Sequence, residues 1–126
     1  MRIAHTLATL LILTAASAHA AEPCQTIHGR AIYYSADGQL RLWHIGTHHE
    51  FQPDAYAGAT PNPWDKIITL LKAGDTSPAA GSNNALYGDF IVCPTKPYRE
   101  GAVQPATLRS MSHLRVVPRD SGPKPQ

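Results

Sequence analysis

The densest chemistry in the chain is the run His44-x-x-x-His48-His49-Glu50. Imidazole and carboxylate groups so close together are the ligand types of zinc and copper sites. On a straight strand His44 and His48 stand ~13 Å apart, at about 3.3 Å per residue, too far to share one ion. His48 and Glu50 fall on one face ~7 Å apart, which only a bend could close. A metal site built on His48, His49 and Glu50 therefore requires the chain to break at Gly46-Thr47 and to bring in His44 or His28 as a further ligand. The competing expectation is that these histidines are solvent-exposed or hydrogen-bonded to neighbours.

Asp89 poses a second problem, because it interrupts the apolar run Leu86–Cys93. An unpaired carboxylate is costly there, so a cationic partner is expected, and Arg41 or Arg30 is the natural choice. No second carboxylate or activated nucleophile keeps a recognisable catalytic spacing to Asp89. Ser35, Ser77, Ser82, Ser110 and Ser112 lie in no nucleophile-elbow sequence, and no glycine loop of the phosphate-cradling type occurs. No catalytic residue and no cofactor is expected. Tyr33, Tyr34, Trp43, Phe51 and Tyr87 could stack on sugars or bases in the manner of oligonucleotide- and oligosaccharide-binding barrels. A domain this small needs most of them as core instead.

The elements that would position these groups are mainly strands. Thr26–Ser35 is rich in Ile, Tyr and Thr, with Gly29 as a bulge or bend. Asp37-Gly38 signals a hairpin into Gln39–Ile45, which carries apolar residues on both faces and so must be covered on both. His48–Phe51 reads as a short third strand, and Gln52–Pro61 as a loop. Asn62 as N-cap, Pro63 at the first helical position and Trp64, Ile67, Ile68 and Leu71 on one face predict a helix that stops at Gly74. Asp75–Ala85 is a polar, mobile loop, Leu86–Cys93 a strand, and Ala106–Met111 and His113–Val117 one or two more. One helix inserted after the third strand predicts a small OB-like antiparallel barrel.

The ends bound where the protein goes. Arg2, the uncharged apolar run Leu7–Ala16 and the small-x-small site Ala18-His19-Ala20 form a secretory signal with cleavage after Ala20, or alternatively Ala21. The run is about half the ~20 residues a membrane span needs. Pro23 before Cys24 argues against lipidation. The expected organisation is a signal peptide over 1–20, one β-rich domain over 21–117 and a disordered tail over 118–126. Without Arg2 the chain is close to neutral and its Lys and Arg are scattered, which disfavours nucleic-acid or membrane-surface binding. Two cysteines in an exported chain, with no Cys-x-x-Cys, predict a Cys24–Cys93 disulfide.

Gly29-Arg30, Asp37-Gly38, Arg41–His48 and Tyr87–Pro94 together resemble a family of small exported proteins of Gram-negative bacteria, with a G-R…R-[LI]-W-x-I-G-T core and a Y-[GA]-D-F-x-V-C-P strand. The likeness covers most of Cys24–Val117. It implies an exported, OB-like single domain and supplies no catalytic residue. Two functions are then in contention. One is a non-catalytic periplasmic or secreted module that binds a protein or small-molecule partner. The other is a metal-handling protein using His44, His48, His49 and Glu50. Protein recovered from the envelope or medium is expected to begin at Ala21 or Glu22 by intact mass; a retained Met1 or a lipidated Cys24 would overturn the export argument.

Overall fold

The computed structural model describes residues 22–54 and 62–121, so the expected signal segment, most of the loop before the helix and the last five residues lie outside the described residues. Five strands and one helix follow in order: β1 (Gln25–Tyr34), β2 (Gln39–His44), β3 (Glu50–Pro53), α1 (Pro63–Lys72), β4 (Asn84–Pro94) and β5 (Gln104–Pro118). The strands close into a barrel in the order β1-β2-β3-β5-β4. With the helix between β3 and β4, this is the expected OB-like arrangement. Four of the pairings are antiparallel and β3–β5 is parallel. A ring with an odd number of strands cannot alternate direction all the way round, so one parallel pair is unavoidable. The barrel is mixed, not purely antiparallel.

Alternation sorts the side chains. Ile27 and Ala31 of β1, Leu40 and Leu42 of β2, Phe51 of β3, Leu86, Phe90 and Val92 of β4, and Ala106 and Leu108 of β5 point inward and form the core. The helix adds Trp64, Ile67 and Leu71 to it. Asn62 caps the helix as expected, its side chain accepting from the Asp65 amide at 3.2 Å. Trp64 donates from its ring nitrogen to the Ala106 carbonyl at 3.1 Å, which satisfies the indole while its rings are buried.

The late residues form one continuous β5, one of the two outcomes expected, with register shifts opposite Tyr87/Asp89 and Ile91/Val92. Two expectations change. The loop after the helix is knotted around Asp75, whose carboxylate accepts from the amides of Ser77 and Gly81 and from Asn83 Nδ2. Hydrogen bonding by the Ser77 side chain, followed by these bonds, pulls the Asp75 carboxyl down to about 2. At the C-terminus, Pro118–Ser121 is bonded to the barrel: the Arg119 amide donates to Asn83 O, and Tyr87 Oη donates to Ser121 O. The ordered domain thus extends past Val117.

Cys24 and Cys93 form the disulfide that the sequence predicts. It fastens the start of β1 to the end of β4 and closes a loop of 69 residues. In the chain-entropy model such closure contributes about 4.4 kcal/mol. Cys93→Ala is therefore expected to lower the melting temperature by more than about 10 °C in a domain of this size. Alkylation of the native oxidised protein without reductant should modify neither cysteine; ready labelling of both would contradict the bond.

Candidate functional site

The break at Gly46-Thr47 exists, but it does not build a metal site. Gly46 adopts φ 85°, and Thr47 Oγ1 donates to His44 O while accepting from the His49 amide. Trp43 locks the turn from below, its indole N–H donating to Thr47 O at 2.8 Å. Past the turn, the His49 side chain is held by other partners. Its ring packs 4.2 Å from both the Phe51 and the Tyr98 rings, and Nε2 lies 2.7 Å from Gln104 Oε1. Gln104 is buried, and its Nε2 already donates to Glu22 Oε2 and to Lys96 O. The amide oxygen can only accept, so His49 Nε2 must be the donor and has no lone pair to offer an ion. Glu22 also accepts from the Tyr98 amide, which with the Gln104 bond holds its carboxyl below the usual range. His44 is shifted down by burial and then by the charge of His49. Among the described residues, no group of three His, Cys, Asp or Glu side chains is arranged to hold a metal ion.

Asp89 gathers a different set of residues. It does not pair with Arg41, because β4 neighbours β1 and β5 while Arg41 stands on β2. Arg41 donates instead to Gln39 Oε1 at 2.8 Å and to Leu40 O at 3.3 Å. Arg30 donates to Arg119 O. The Asp89 partners are His28 on one side, Nδ1 to Oδ1 at 3.0 Å, and His113 on the other, Nδ1 to Oδ2 at 2.9 Å. His28 is the direct cross-strand neighbour of Asp89 on β1. His113 arrives by another route. It is the one described non-glycine residue with positive φ, at 52°, and it sits in the register shift where β5 passes Gly88. A bulge of this kind re-aims a side chain, and here it turns His113 out beside Asp89.

Hydrogen bonding by His28, followed by that of His113 and the charges of both rings, holds the Asp89 carboxyl below its ordinary range against the opposing effect of burial. The group is an anion at neutral pH and can only accept. Both imidazoles must therefore carry a proton on Nδ1, which fixes their tautomers and leaves each Nε2 facing away from the carboxylate. The side chains are accessible: His28 is 64% exposed, His113 83% and Asp89 39%.

Directly beside this cluster runs a row that crosses all five strands: Glu50, Trp43, Arg30, Tyr87 and Arg115 are successive cross-strand neighbours. The guanidinium of Arg30 stands 5.9 Å from the Tyr87 ring centre, and that of Arg115 stands 5.8 Å from it. Arg30 is only 6% exposed, and its Nε finds no hydrogen-bond partner among the described residues. The C-terminal turn lies over the row, with Arg30 Nη2 donating to Arg119 O at 2.6 Å and the Arg119 guanidinium 4.8 Å from the Tyr34 ring centre. Of the aromatics singled out in the sequence, Trp43, Phe51 and Tyr87 are buried; Tyr34 is 38% exposed beneath Arg119.

The sequence signals that Asp89 needs a partner but not which one. The His28 pairing depends on the β1–β4 register, and the His113 pairing on a bulge that no local motif announces. A carboxyl held lower in the folded than in the unfolded chain adds stability above its ordinary range, and that stability is lost as pH falls through the folded value. Asp75 and Glu22 act in the same direction. Asp89→Asn is therefore expected to flatten part of the fall in melting temperature between about pH 4 and pH 2. Parallel melting profiles for the variant and the wild type across that range would contradict the paired carboxylate. Comparisons of the chain with protein-family models, with curated proteins and with solved structures find no match.

Proposed function

We propose that the chain is an exported, non-catalytic OB-like module that binds a partner or small ligand on the outer face of β1, β4 and β5. The observation that carries this reading is the His28–Asp89–His113 cluster. Its three side chains hold one another in place, and both Nε2 atoms are turned toward solvent. An arrangement fixed from behind and open in front is suited to contact. It is poorly suited to bond-breaking. The carboxylate is spent on orienting the rings, and no described serine or threonine hydroxyl bonds to either of them. Both cysteines are consumed in the disulfide. The disulfide fits an oxidising, extracytoplasmic compartment, and the N-terminal signal makes the periplasm or the medium the proposed location. The segments that resemble the exported family fall on β1, β2 and β4, around this face, which supports placing the function there.

The test is retention of a component from native envelope extract on the immobilised, oxidised mature protein. Wild type is expected to retain a component that His28→Ala/His113→Ala does not, with the bound amides of β4 and β5 around Gly88 and His113 slowed in hydrogen exchange. A component held equally by both proteins would place the binding surface elsewhere.

A further inference from the structure

The amide, the carbonyl and the guanidinium of Arg119 each have a partner on the barrel. The amide donates to Asn83 O at 2.9 Å, and the carbonyl accepts from Arg30 Nη2 at 2.6 Å. The guanidinium donates from Nη1 to Ser82 O at 3.2 Å and stands 4.8 Å from the Tyr34 ring centre. Two residues on, Tyr87 Oη donates to Ser121 O at 3.0 Å. Main-chain hydrogen bonds that hold a segment, with a separate seat for one of its side chains, are the means by which proteins recognise peptides. A ring face beside a carbonyl acceptor suits a planar cation, which is arginine and not lysine.

The seat is held in place without its occupant. Ser82 is fastened to the end of β1 in both directions, its Oγ accepting from the Ser35 amide at 2.8 Å and donating to Tyr33 O at 2.9 Å. Asp75 holds the residues on either side of Ser82, through the Gly81 amide and Asn83 Nδ2. Gly81 adopts φ 88°, and a Cβ there would stand 3.0 Å from Tyr33 Cδ1, so this loop lies tight against β1. Arg30 is buried in the sheet beside Tyr87. None of these contacts uses residues 119–121.

The occupant, by contrast, is peripheral. β5 ends at Pro118, paired with Asn84, so lifting residues 119–121 breaks no pair of the barrel. What lifting does cost is the Arg119 carbonyl, the one hydrogen-bond acceptor of the Arg30 guanidinium among the described residues. A buried donor left without an acceptor is expensive, and a carbonyl from another peptide restores it. The turn therefore leaves more readily by exchange with a like segment than by opening alone. Until then its tether gives it a high effective concentration at the seat.

We propose that Tyr34, Ser82, Asn83 and Arg30 form a docking site for an arginine-bearing peptide segment of a protein partner, which the chain's own Arg119 occupies as a competing stand-in. The site uses neither His28 nor His113 and so goes beyond the binding reading above.

The probe is a fluorescein-labelled, amidated peptide with the sequence Val116–Ser121, and its anisotropy is measured against the oxidised mature protein. Arg119→Ala is expected to bind it at least about tenfold tighter than the wild type, because the tethered segment has lost its ring contact and its charged hydrogen bond. The same peptide with alanine in place of its arginine should not bind. Adding Tyr34→Ala to Arg119→Ala should abolish the gain, and adding His28→Ala/His113→Ala should leave it unchanged. In the wild type, a large excess of the peptide should speed hydrogen exchange of the Arg119 amide while the β4 amides stay protected. Equal binding by wild type and Arg119→Ala, binding of the alanine peptide, a gain that survives Tyr34→Ala, or an Arg119 amide that excess peptide leaves protected would each overturn the proposal. Wild-type dimers that the free peptide cannot dissociate would overturn it in favour of a second copy as the occupant. If the peptide fails while the extract component still requires His28 and His113, the docking site falls and the earlier reading stands.

Discussion

Gly29 on β1 and Gly88 on β4 face each other directly, and neither has room for a side chain. A Cβ on Gly29 would sit 2.7 Å from Leu42 Cδ1 and 2.9 Å from Phe90 Cδ2, inside the distance at which carbon atoms touch. A Cβ on Gly88 would meet Leu114 Cδ2 at 2.7 Å and the Ser112 carbonyl oxygen at 2.9 Å. The first glycine lets β2 and β4 pack their large residues across β1. The second lets β5 press its backbone into β4, and there the strand bulges and His113 rotates outward. The core on one side of the sheet and the histidine cluster on the other thus depend on the same absence of side chains.

The outer face is a second, smaller packed layer. Ile32, Ala85 and Tyr87 are buried there, with Ile45 and Val117 against them. This is why β1, β2 and β4 carry apolar residues on both faces although the barrel has one interior. The turn at Thr47 closes over Trp43, and the turn at Arg119 closes over Arg30 and Tyr87. A guanidinium buried under such a lid keeps its charge by using backbone carbonyls and ring faces as partners. The exposed His28–Asp89–His113 cluster borders this layer.

Much of the fold was legible because it is local. The Asp37-Gly38 hairpin, the Asn62-Pro63 helix start and the Leu86–Cys93 strand each follow from residues within one turn or one strand. The helix placed after the third strand then points to the barrel. The disulfide was legible by arithmetic, with two cysteines and no Cys-x-x-Cys. The site was not, since it is made by register. His28 and Asp89 are neighbours only because Gly29 opposes Gly88, and an unseen extra residue in β5 decides where His113 points. The dense His44–Glu50 run misled for the opposite reason. Its residues are close in sequence, but beyond the turn closed by Thr47 the His49 ring is taken up by Phe51, Tyr98 and Gln104.

The two short joints of the ring are both made by β3: two register pairs with β2, and the parallel contact with β5, Phe51–Pro53 against Gln104–Ala106. The other joints of β1 and β4 run over much longer stretches. If the parallel joint opens, the barrel becomes a sheet with β1 at its centre and β5 at one border. Such a sheet would leave the long outer side of β5 unpaired. Its two irregularities, the arginines at 109 and 115 and the proline at 118 are the features that keep an exposed strand border from templating the addition of another chain. The bulge that turns His113 outward therefore has a second consequence: it protects the molecule from self-association whenever the ring opens.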